Sequence, residues 1–403
     1  MTGRGLLALS LAAVLAACGT EVSLEADSEP IDLALVSEVP VTIATIPGRD
    51  PFRIVIDTAS PLSAIDALGG TTGRTRLGEM RILRPDDPNV VRAILHDLVV
   101  VQAPLFQAGT GTPVAVAGVL GGDVLSHYAV RFQYGTGTAT MTFTERDYDA
   151  GKPESNDELA RAGLTVVHSH VLGGGAYDLG GDVESYGGSR LTVPACAVIG
   201  GRAVELTFLV ATGHGPLVLG RAAAERRLGR AVPDGEADRL YVPAVAGGIA
   251  VLERGSLLPP GTSALAIVGD EHGSTSQSRS DFGGPCTQLF RHQTDLEGLV
   301  PPTDCPLGPS VGLGPNNSRI GAAYVQLCAD AAVGYAVISD DEPLLASLRA
   351  ELRPHLPEVD GLAGTEVLRH LVTELNYTNN RVILSCADGA PSCFSRPRTS
   401  FPD

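Results

Sequence analysis

The stretch that decides the fold is Ile54-Val55-Ile56-Asp57-Thr58-Ala59-Ser60, an apolar run that ends at an aspartate and continues in small residues. A short run of β-branched residues bounded by turn residues is typical of a buried strand. The small residues after Asp57 let another segment of backbone come close. The stretch therefore predicts a buried strand that carries one carboxylate into a tight turn. Asp57 either faces a cleft or caps this turn, and the flanking pattern favours the cleft.

A second stretch with the same layout appears 154 positions later, when Asp57 is aligned with Ala211. Pro51–Ser63 and Glu205–Leu219 both consist of an apolar run, a small-residue turn and a Pro-Leu step. Each therefore predicts a buried strand that enters a turn. In the second copy the turn contains Ala211, Thr212, Gly213 and His214.

Another pair of segments repeats at an offset of 243 positions. Gly118–Tyr134 and Gly361–Tyr377 are identical at six of seventeen positions, and each is followed by a turn and an apolar strand. Two matched pairs in the same order predict an internal duplication. The second copy is longer by 89 residues, which is 243 minus 154, and we place the excess between Arg230 and Ile338.

The composition favours β structure over long helices. The 403 residues include 48 glycines and 28 prolines, which interrupt helices and supply turns. We predict a mainly β protein with two homologous lobes and a few short helices. The predicted strands are Val39–Ile46, Phe52–Ile56, Ile94–Val101, Ala129–Tyr134, Thr138–Phe143, Arg190–Ile199, Val204–Val210, Ala264–Val268, Leu371–Tyr377 and Arg381–Cys386, and the predicted helices are Arg221–Leu228, Pro343–Leu352 and Thr365–His370.

Several classes of function are disfavoured by charge and by missing motifs. The net charge of −17 repels phosphate backbones, so the sequence argues against nucleic-acid binding. It contains no phosphate-binding loop or dinucleotide fingerprint, and we expect no cofactor. The cysteines and histidines lack zinc-site spacing, so we expect no metal. The serines lack a Gly-x-Ser-x-Gly elbow, which argues against a serine hydrolase.

The N-terminus has the features of an export signal. Arg4 precedes the apolar run Leu6–Ala17, which is shorter than the roughly 20 residues needed to span a bilayer. Leu15-Ala16-Ala17-Cys18 resembles the bacterial lipobox, and this resemblance implies that Cys18 becomes the lipidated N-terminus of an envelope protein. Gly19 after the cysteine favours the outer membrane. The alternative is an ordinary signal peptide with an incidental cysteine.

These observations give the expected domain organisation. We predict a signal peptide at 1–18, a polar tether at 19–36, a first lobe at 37–145, a linker at 146–162, a second lobe at 163–387 with a cysteine-containing insertion near 230–338, and a tail at 388–403. The lipid on Cys18 would be the sole membrane attachment. We expect a monomer, because the duplication supplies both halves of a pseudo-dimer within one chain.

The segment Ile54–Ser60 resembles the active-site turn of the aspartic proteases, in which two apolar residues precede Asp-Thr/Ser-Gly/Ala. Gly118-Val119-Leu120-Gly121, with the helix after it, resembles the second signature of the same lobes. The resemblance covers both halves and is closest to the bacterial retropepsin-like and pepsin-like families. It implies a two-lobed fold with an interlobe cleft, in which Asp57 is a catalytic residue followed by Thr58, Ala59 and Ser60. It also implies that Thr58 and Thr212 hydrogen-bond across the lobe interface.

The second lobe departs from this pattern at the decisive residue. Thr212 and Gly213 match, but Ala211 stands where the family has its second aspartate. The mechanism needs two carboxylates that share one proton, one as base and one as acid. Asp270, Asp281 and Asp360 lack the preceding strand or the following Thr-Gly and do not replace the missing residue.

The histidines and the acidic residues near the repeats have simpler interpretations. His214 lies in the degenerate turn and is either a substitute acid–base group or a solvated loop residue, and the solvated interpretation is favoured. His127 and His370 are expected to pack or cap the repeated helices. Asp123 and Glu366 begin those helices, where a negative charge suits the helix dipole.

Two functions follow from the resemblance and from the presence of Ala211 in place of the second aspartate. In the first, the protein is a degenerate protease homologue, a pseudoenzyme that binds an extended peptide or protein ligand in the cleft by strand addition. In the second, it is an active aspartic endopeptidase in which Asp57 works with an unidentified second group. A purely structural envelope protein is a third and weaker possibility. Ala211 favours the first function.

The cysteines generate the first testable prediction. Beyond Cys18 there are six, Cys196, Cys286, Cys305, Cys328, Cys386 and Cys393, and an even set in an exported chain predicts three disulfides. Cys386 and Cys393 form the easiest local pair. Mass spectrometry of the protein alkylated without reduction should find none of the six labelled. Two or more labelled cysteines would contradict the predicted compartment or pairing.

Overall fold

The computed structural model describes most of the first lobe and about half of the second. The described residues are 23–26, 29–36, 38–66, 73–103, 116–135, 138–144, 159, 164–169, 171–172, 175–178, 183–186, 190–199, 202–215, 217–229, 238–244, 248–254, 264–268, 324–327, 335–338, 359–377, 379–390 and 393–396. The predicted helix Pro343–Leu352 and the linker at 146–162, apart from Leu159, lie outside them.

The first lobe is made almost entirely of strands. Its described elements are β1 (Ser23–Ala26), β2 (Ile31–Val36), β3 (Val39–Thr45), β4 (Phe52–Ile56), β5 (Ala64–Asp66), β6 (Gly73–Arg84), β7 (Asp87–Ala103), β8 (Gly118–Leu120), α1 (Gly122–Leu125), β9 (Ala129–Tyr134) and β10 (Thr138–Thr144).

The second lobe has the same character with more elements. Those described are β11 (Thr165–His168), β12 (Val171–Leu172), β13 (Gly175–Asp178), β14 (Val183–Tyr186), β15 (Arg190–Ile199), β16 (Arg202–Val210), β17 (Leu217–Gly220), α2 (Arg221–Leu228), β18 (Asp238–Ala244), β19 (Gly248–Arg254), β20 (Ala264–Val268), β21 (Tyr324–Leu327), β22 (Tyr335–Ile338), β23 (Gly361–Ala363), α3 (Thr365–Leu368), β24 (Leu371–Asn376), β25 (Arg381–Cys386) and β26 (Cys393–Arg396). The predicted mainly β, two-lobed fold is confirmed.

Two large sheets organise these strands. The first has the order β1-β7-β5-β8-β4-β3-β2-β10-β9-β24-β25-β11, with β6 paired to β3 and β7. The second has the order β22-β17-β23-β16-β15-β20-β21-β26, with β12 paired to β15. β24 and β25 of the second lobe extend the first lobe's sheet, because β24 pairs antiparallel with β9. The two lobes therefore share one sheet.

Strand register confirms the duplication. Ile54 of β4 pairs in parallel with Gly118 of β8, and Phe208 of β16 pairs in the same way with Gly361 of β23. Phe208 lies 154 positions after Ile54, and Gly361 lies 243 positions after Gly118. The residues that pair in the second lobe are therefore the ones that the two sequence offsets match to the paired residues of the first lobe. β5 with β8, and β17 with β23, form matching antiparallel pairs.

The extra length of the second lobe falls mostly where the sequence places it. Ala64 of β5 pairs with Val101 of β7, whereas the matching Val218 of β17 pairs with Ala336 of β22. The partners in the first lobe are 37 residues apart, and the matching partners in the second lobe are 118 residues apart. The difference of 81 means that 81 of the 89 extra residues lie between β17 and β22. Cys286, Cys305 and Cys328 fall in that interval and outside the described residues.

The polar tether predicted at 19–36 is wrong for its second part. β1 pairs with β7, and β2 pairs with both β3 and β10. Ile31 and Leu33 of β2 are buried in the core, so their apolar side chains stabilise the lobe. The sequence signal was the alternation of apolar and polar residues in Ile31–Val36, which is typical of a half-buried strand.

The tail predicted at 388–403 also begins too early. β26 pairs with β21 at the edge of the second large sheet, and Cys393 at its start is disulfide-bonded to Cys386 with a Cα–Cα distance of 5.6 Å. The predicted Cys386–Cys393 pair is confirmed. Cys196 is also disulfide-bonded, and the predicted total of three disulfides stays a prediction.

Close packing at β23 gives a test of the repeated register. A Cβ on Gly361 would lie 1.8 Å from the Val218 carbonyl oxygen, which is held in the β17–β23 pairing. Gly361→Ala should therefore lower the free energy of unfolding by about 3 kcal/mol or more, since backbone must move. Gly78→Ala is the control, because a Cβ there meets nothing within 4 Å. Urea denaturation of both variants is the measurement, and equal midpoints would contradict this packing.

Candidate functional site

The two predicted turns meet at the junction of the lobes, where two threonines bridge them. The Thr58 backbone N–H donates to Thr212 Oγ1, and the Thr212 backbone N–H donates to Thr58 Oγ1, both at 3.1 Å. Each hydroxyl in turn donates to a carbonyl of the opposite lobe, Thr58 to Val210 and Thr212 to Ile56, both at 2.8 Å. Both threonines are fully buried. The four hydrogen bonds are related by a pseudo-two-fold axis.

The backbone around this junction follows the same symmetry. Asp57 N donates to the Leu120 carbonyl and Ala211 N donates to the Ala363 carbonyl, both at 3.0 Å. Gly122 N donates to the Ser60 carbonyl at 2.8 Å, and Thr365 N donates to the His214 carbonyl at 2.7 Å. These matched bonds make Ala211 the counterpart of Asp57. They also make His214 the counterpart of Ser60.

Asp57 is buried and fixed by both lobes. Its Oδ1 accepts the Ala59 backbone N–H at 2.9 Å and the Gly213 backbone N–H at 3.2 Å. A Cβ on Gly213 would lie 2.4 Å from Asp57 Cγ, so only glycine allows the second lobe to approach this carboxylate. The strand β4 thus delivers Asp57 to the lobe junction, and the glycine of the opposite turn holds it there.

His214 lies in the same turn as Ala211 and close to Asp57. Its side chain is fully buried, and its Nδ1 lies 3.8 Å from Asp57 Oδ1. Neither ring nitrogen has a hydrogen-bond partner among the described residues. The favoured interpretation of His214 as a solvated loop residue is wrong. Sequence could not show this burial, because it arises from contact with a turn that lies 154 positions earlier.

Burial controls the charge of His214. Removal from water lowers its pKa, and the negative charge of Asp57 raises it by a smaller amount, so the net direction is downward. The imidazole is therefore neutral at neutral pH. The junction holds one carboxylate and one uncharged base where the aspartic-protease pattern has two carboxyl groups.

Two repeat-related tyrosines, Tyr134 and Tyr377, are buried near these turns. A hydrogen bond with the Thr365 side chain lowers the pKa of Tyr134 by a smaller amount than burial raises it. Burial is the main cause that raises both pKa values, and the charge of Asp57 raises that of Tyr377 further. Both tyrosines stay neutral, so neither supplies a second charge to Asp57.

The first turn depends on Asp123, which sequence analysis assigned only to the helix dipole. Asp123 Oδ1 accepts the Ser63 backbone N–H at 2.8 Å and the Ser63 hydroxyl at 2.7 Å. Ser63 Oγ in turn accepts the Gly121 N–H at 2.9 Å. Asp123 therefore ties the segment after the turn to the start of α1. Ser60, predicted with the catalytic turn, donates its hydroxyl to the Leu62 carbonyl at 2.8 Å.

Asp360, which the sequence analysis rejected as a second catalytic aspartate, has a structural role. It is buried, its Oδ2 accepts the Thr207 N–H at 2.8 Å, and Arg227 of α2 contacts both its carboxylate oxygens at 3.2 Å. Asp270 and Asp281 lie outside the described residues, as does Cys18. No cluster of three or more histidine, cysteine or acidic side chains suited to a metal occurs in the described ranges.

Comparisons with known proteins add little to this geometry. No protein-family model and no curated protein matches the chain. The crystal structure of basic 7S globulin from soybean is similar over 90% of this chain and 95% of that chain, at 9% sequence identity and a TM-score of 0.43. A likeness this distant carries no argument about function. No helix in the described part of the chain is long and apolar enough to cross a membrane.

The buried imidazole generates a prediction about pH. The pKa of His214 is lowered on folding from 6.5, so below that pH the unfolded chain binds more protons than the folded one. Its contribution to stability is therefore present above pH 6.5 and is lost as pH falls, by up to about 1.4 kcal/mol per pH unit. His214→Gln should flatten the dependence of unfolding free energy on pH just below 6.5. Chemical denaturation at a series of pH values is the measurement, and equal slopes for both proteins would contradict the burial of a neutral imidazole.

Proposed function

We propose that the protein is an aspartic-protease-like pseudoenzyme, which has lost acid proteolysis and binds an extended peptide in the cleft between its lobes. The observation that carries this proposal is the junction itself. Ala211 lies at the position related to Asp57 by the pseudo-two-fold axis, and a buried His214 lies 3.8 Å from the remaining carboxylate.

The proposed loss of acid proteolysis follows from the number of groups that can take or donate a proton at the junction. In a carboxylate dyad, one group takes a proton from the attacking water while the other donates one to the substrate carbonyl. Asp57 alone supplies only one of these roles. A neutral imidazole has no extra proton to donate, and burial opposes its protonation to the acid form. The pair therefore does not reproduce the shared proton of two carboxylates.

Peptide binding is the function that this architecture leaves available. The threonine hydrogen bonds hold the two turns in a fixed relation without any contribution from a second carboxylate. A cleft between two β lobes offers backbone donors and acceptors to an extended segment, which gains affinity from main-chain hydrogen bonds and specificity from alternate side chains. We propose a peptide or an extended segment of another envelope protein as the ligand.

The proposed location is the cell envelope. The apolar run Leu6–Ala17 and Cys18 support export and lipidation, with the outer membrane as the favoured site. The confirmed Cys386–Cys393 disulfide is the kind of bond that persists in an oxidising compartment.

A second candidate function is favoured by the short distance between His214 and Asp57. An aspartic-type endopeptidase would use Asp57 as the base and His214 as the second group, after protonation at low pH. This candidate requires the imidazole to gain a proton in a site where burial lowers its pKa. The same assay tests both candidates.

The decisive experiment compares wild type, Asp57→Asn and the double variant Ala211→Asp/His214→Ser on unfolded protein and on a peptide library between about pH 3 and 7. The double variant gives the second turn the same Asp-Thr-small-Ser order as the first. Wild type and Asp57→Asn should show no cleavage while retaining peptide binding, and the double variant should gain acid cleavage. Hydrogen exchange with bound peptide should protect amides near both turns.

Two outcomes would decide against the pseudoenzyme. Cleavage by wild type that Asp57→Asn abolishes would establish the endopeptidase instead. Absence of binding to every peptide in the library, by protein with an intact unfolding transition, would remove the proposed ligand class.

A further inference from the structure

We infer, on the basis of the proposed peptide binding, that the ligand supplies a primary ammonium group, which pairs with Asp57 Oδ2 at the lobe junction. Three observations lead to this ligand class. They are the hydrogen bonds of Asp57, the charges of the groups that face it, and its burial.

The two oxygens of the Asp57 carboxylate are used unequally. Oδ1 accepts the Ala59 N–H at 2.9 Å and the Gly213 N–H at 3.2 Å. Oδ2 has no hydrogen-bond partner among the described residues. A carboxylate oxygen accepts about two hydrogen bonds, so Oδ1 is occupied and Oδ2 is left for a donor from outside the junction.

The negative charge of ionised Asp57 is not balanced within the described part of the chain. Its one ion-pair contact there is with His214 Nδ1 at 3.8 Å, and burial lowers the pKa of this imidazole, which is therefore neutral. Tyr377, whose pKa the charge of Asp57 helps to raise, is neutral as well. A buried charge without a partner costs free energy, and a cation bound at Oδ2 would remove much of this cost.

The single free oxygen determines which kind of cation fits. The planar guanidinium of arginine pairs best when two of its N–H groups meet both oxygens of a carboxylate. At Asp57 this arrangement is blocked, because two backbone N–H groups already occupy Oδ1. An ammonium group is a compact charge and needs one oxygen. Asp57 is only 1% exposed, which also favours the narrower group.

Two parts of a peptide carry a primary ammonium group, the amino terminus and the lysine side chain. Both have three N–H donors and no acceptor, which suits a free carboxylate oxygen. The net charge of −17 attracts either group toward the protein, but it attracts arginine equally. Preference for ammonium over guanidinium is therefore the property that separates pairing with Asp57 from general attraction to an acidic surface.

Two variants of the full chain isolate the charge of Asp57. Asp57→Asn removes the charge and keeps an oxygen that can accept the Ala59 and Gly213 N–H groups. Asp388→Asn is the matched control, because it removes one charge from an exposed position in the turn after β25. Urea denaturation checks that each variant keeps a cooperative unfolding transition.

Peptide selection compares the three proteins. Random-sequence peptides with acetylated amino termini are selected at about 0.5 M NaCl, where attraction between exposed charges is largely screened. Wild type and Asp388→Asn should enrich lysine over arginine, and Asp57→Asn should show no such preference. A parallel library with free amino termini tests the other source, because an amino-terminal ammonium should be selected over its acetylated form without enrichment of lysine.

Affinities of the selected peptides for wild type keep the test independent of whether Asp57→Asn folds. Acetylation of the selected lysine or amino terminus should raise the Kd about tenfold, since a hydrogen bond to a charged group is lost. Asp57→Asn should bind the acetylated and unacetylated forms equally.

The outcomes separate this ligand class from the proposed function. Peptides that bind without preference for lysine or a free terminus, or a preference that Asp57→Asn keeps or Asp388→Asn also removes, would overturn the inference alone. Absence of binding to every peptide, by protein with an intact unfolding transition, would refute the proposed peptide binding and the inference with it.

Discussion

The reciprocal hydrogen bonds between Thr58 and Thr212 are the constraint on which the junction depends. Each threonine accepts a backbone N–H and donates to a carbonyl of the other lobe, so a buried hydroxyl on each side is fully satisfied by its partner. An unsatisfied buried polar group costs about 1–3 kcal/mol, and removal of either threonine would leave such groups on both sides. The same turns fix β4 against β8 and β16 against β23. The position of Asp57, the approach of Gly213 and the burial of His214 all follow from this bridge.

The chemistry of the junction is set by one buried carboxyl group and one buried imidazole. Two carboxyl groups buried side by side would share one proton. Their interaction would lower the pKa of one and raise the pKa of the other. With Ala211 in one lobe, the interaction that remains is between Asp57 and an imidazole that burial keeps neutral. Oδ1 of Asp57 is held by two backbone N–H groups, so its orientation persists without a partner. The geometry of this turn is therefore kept without a second carboxylate opposite it.

Much of the fold could be predicted from the sequence, because its strongest signals are local. The apolar run before Asp57 gives β4, and the two sequence offsets reappear in the pairing of Ile54 with Gly118 and of Phe208 with Gly361. Most of the missed features are non-local. β1 pairs with β7, 67 to 73 residues later in the chain, and the role of Asp123 depends on Ser63, 60 residues earlier. β2 is the exception, because its alternating apolar residues are a local signal. The burial of His214 needs the other lobe, and no property of its own turn indicates it.

The pairing of β24 with β9 has a consequence for biogenesis. Val372 pairs with Gln133, so the sheet of the first lobe is completed by residues that enter the chain 239 positions later. Until they arrive, one edge of β9 presents unpaired N–H and C=O groups that attract other strands. Pairing over such sequence separations is slow, because the entropy of closing the loop is lost before the contacts form. During synthesis this edge would need protection from aggregation until the last tenth of the chain, which contains β24, has been made.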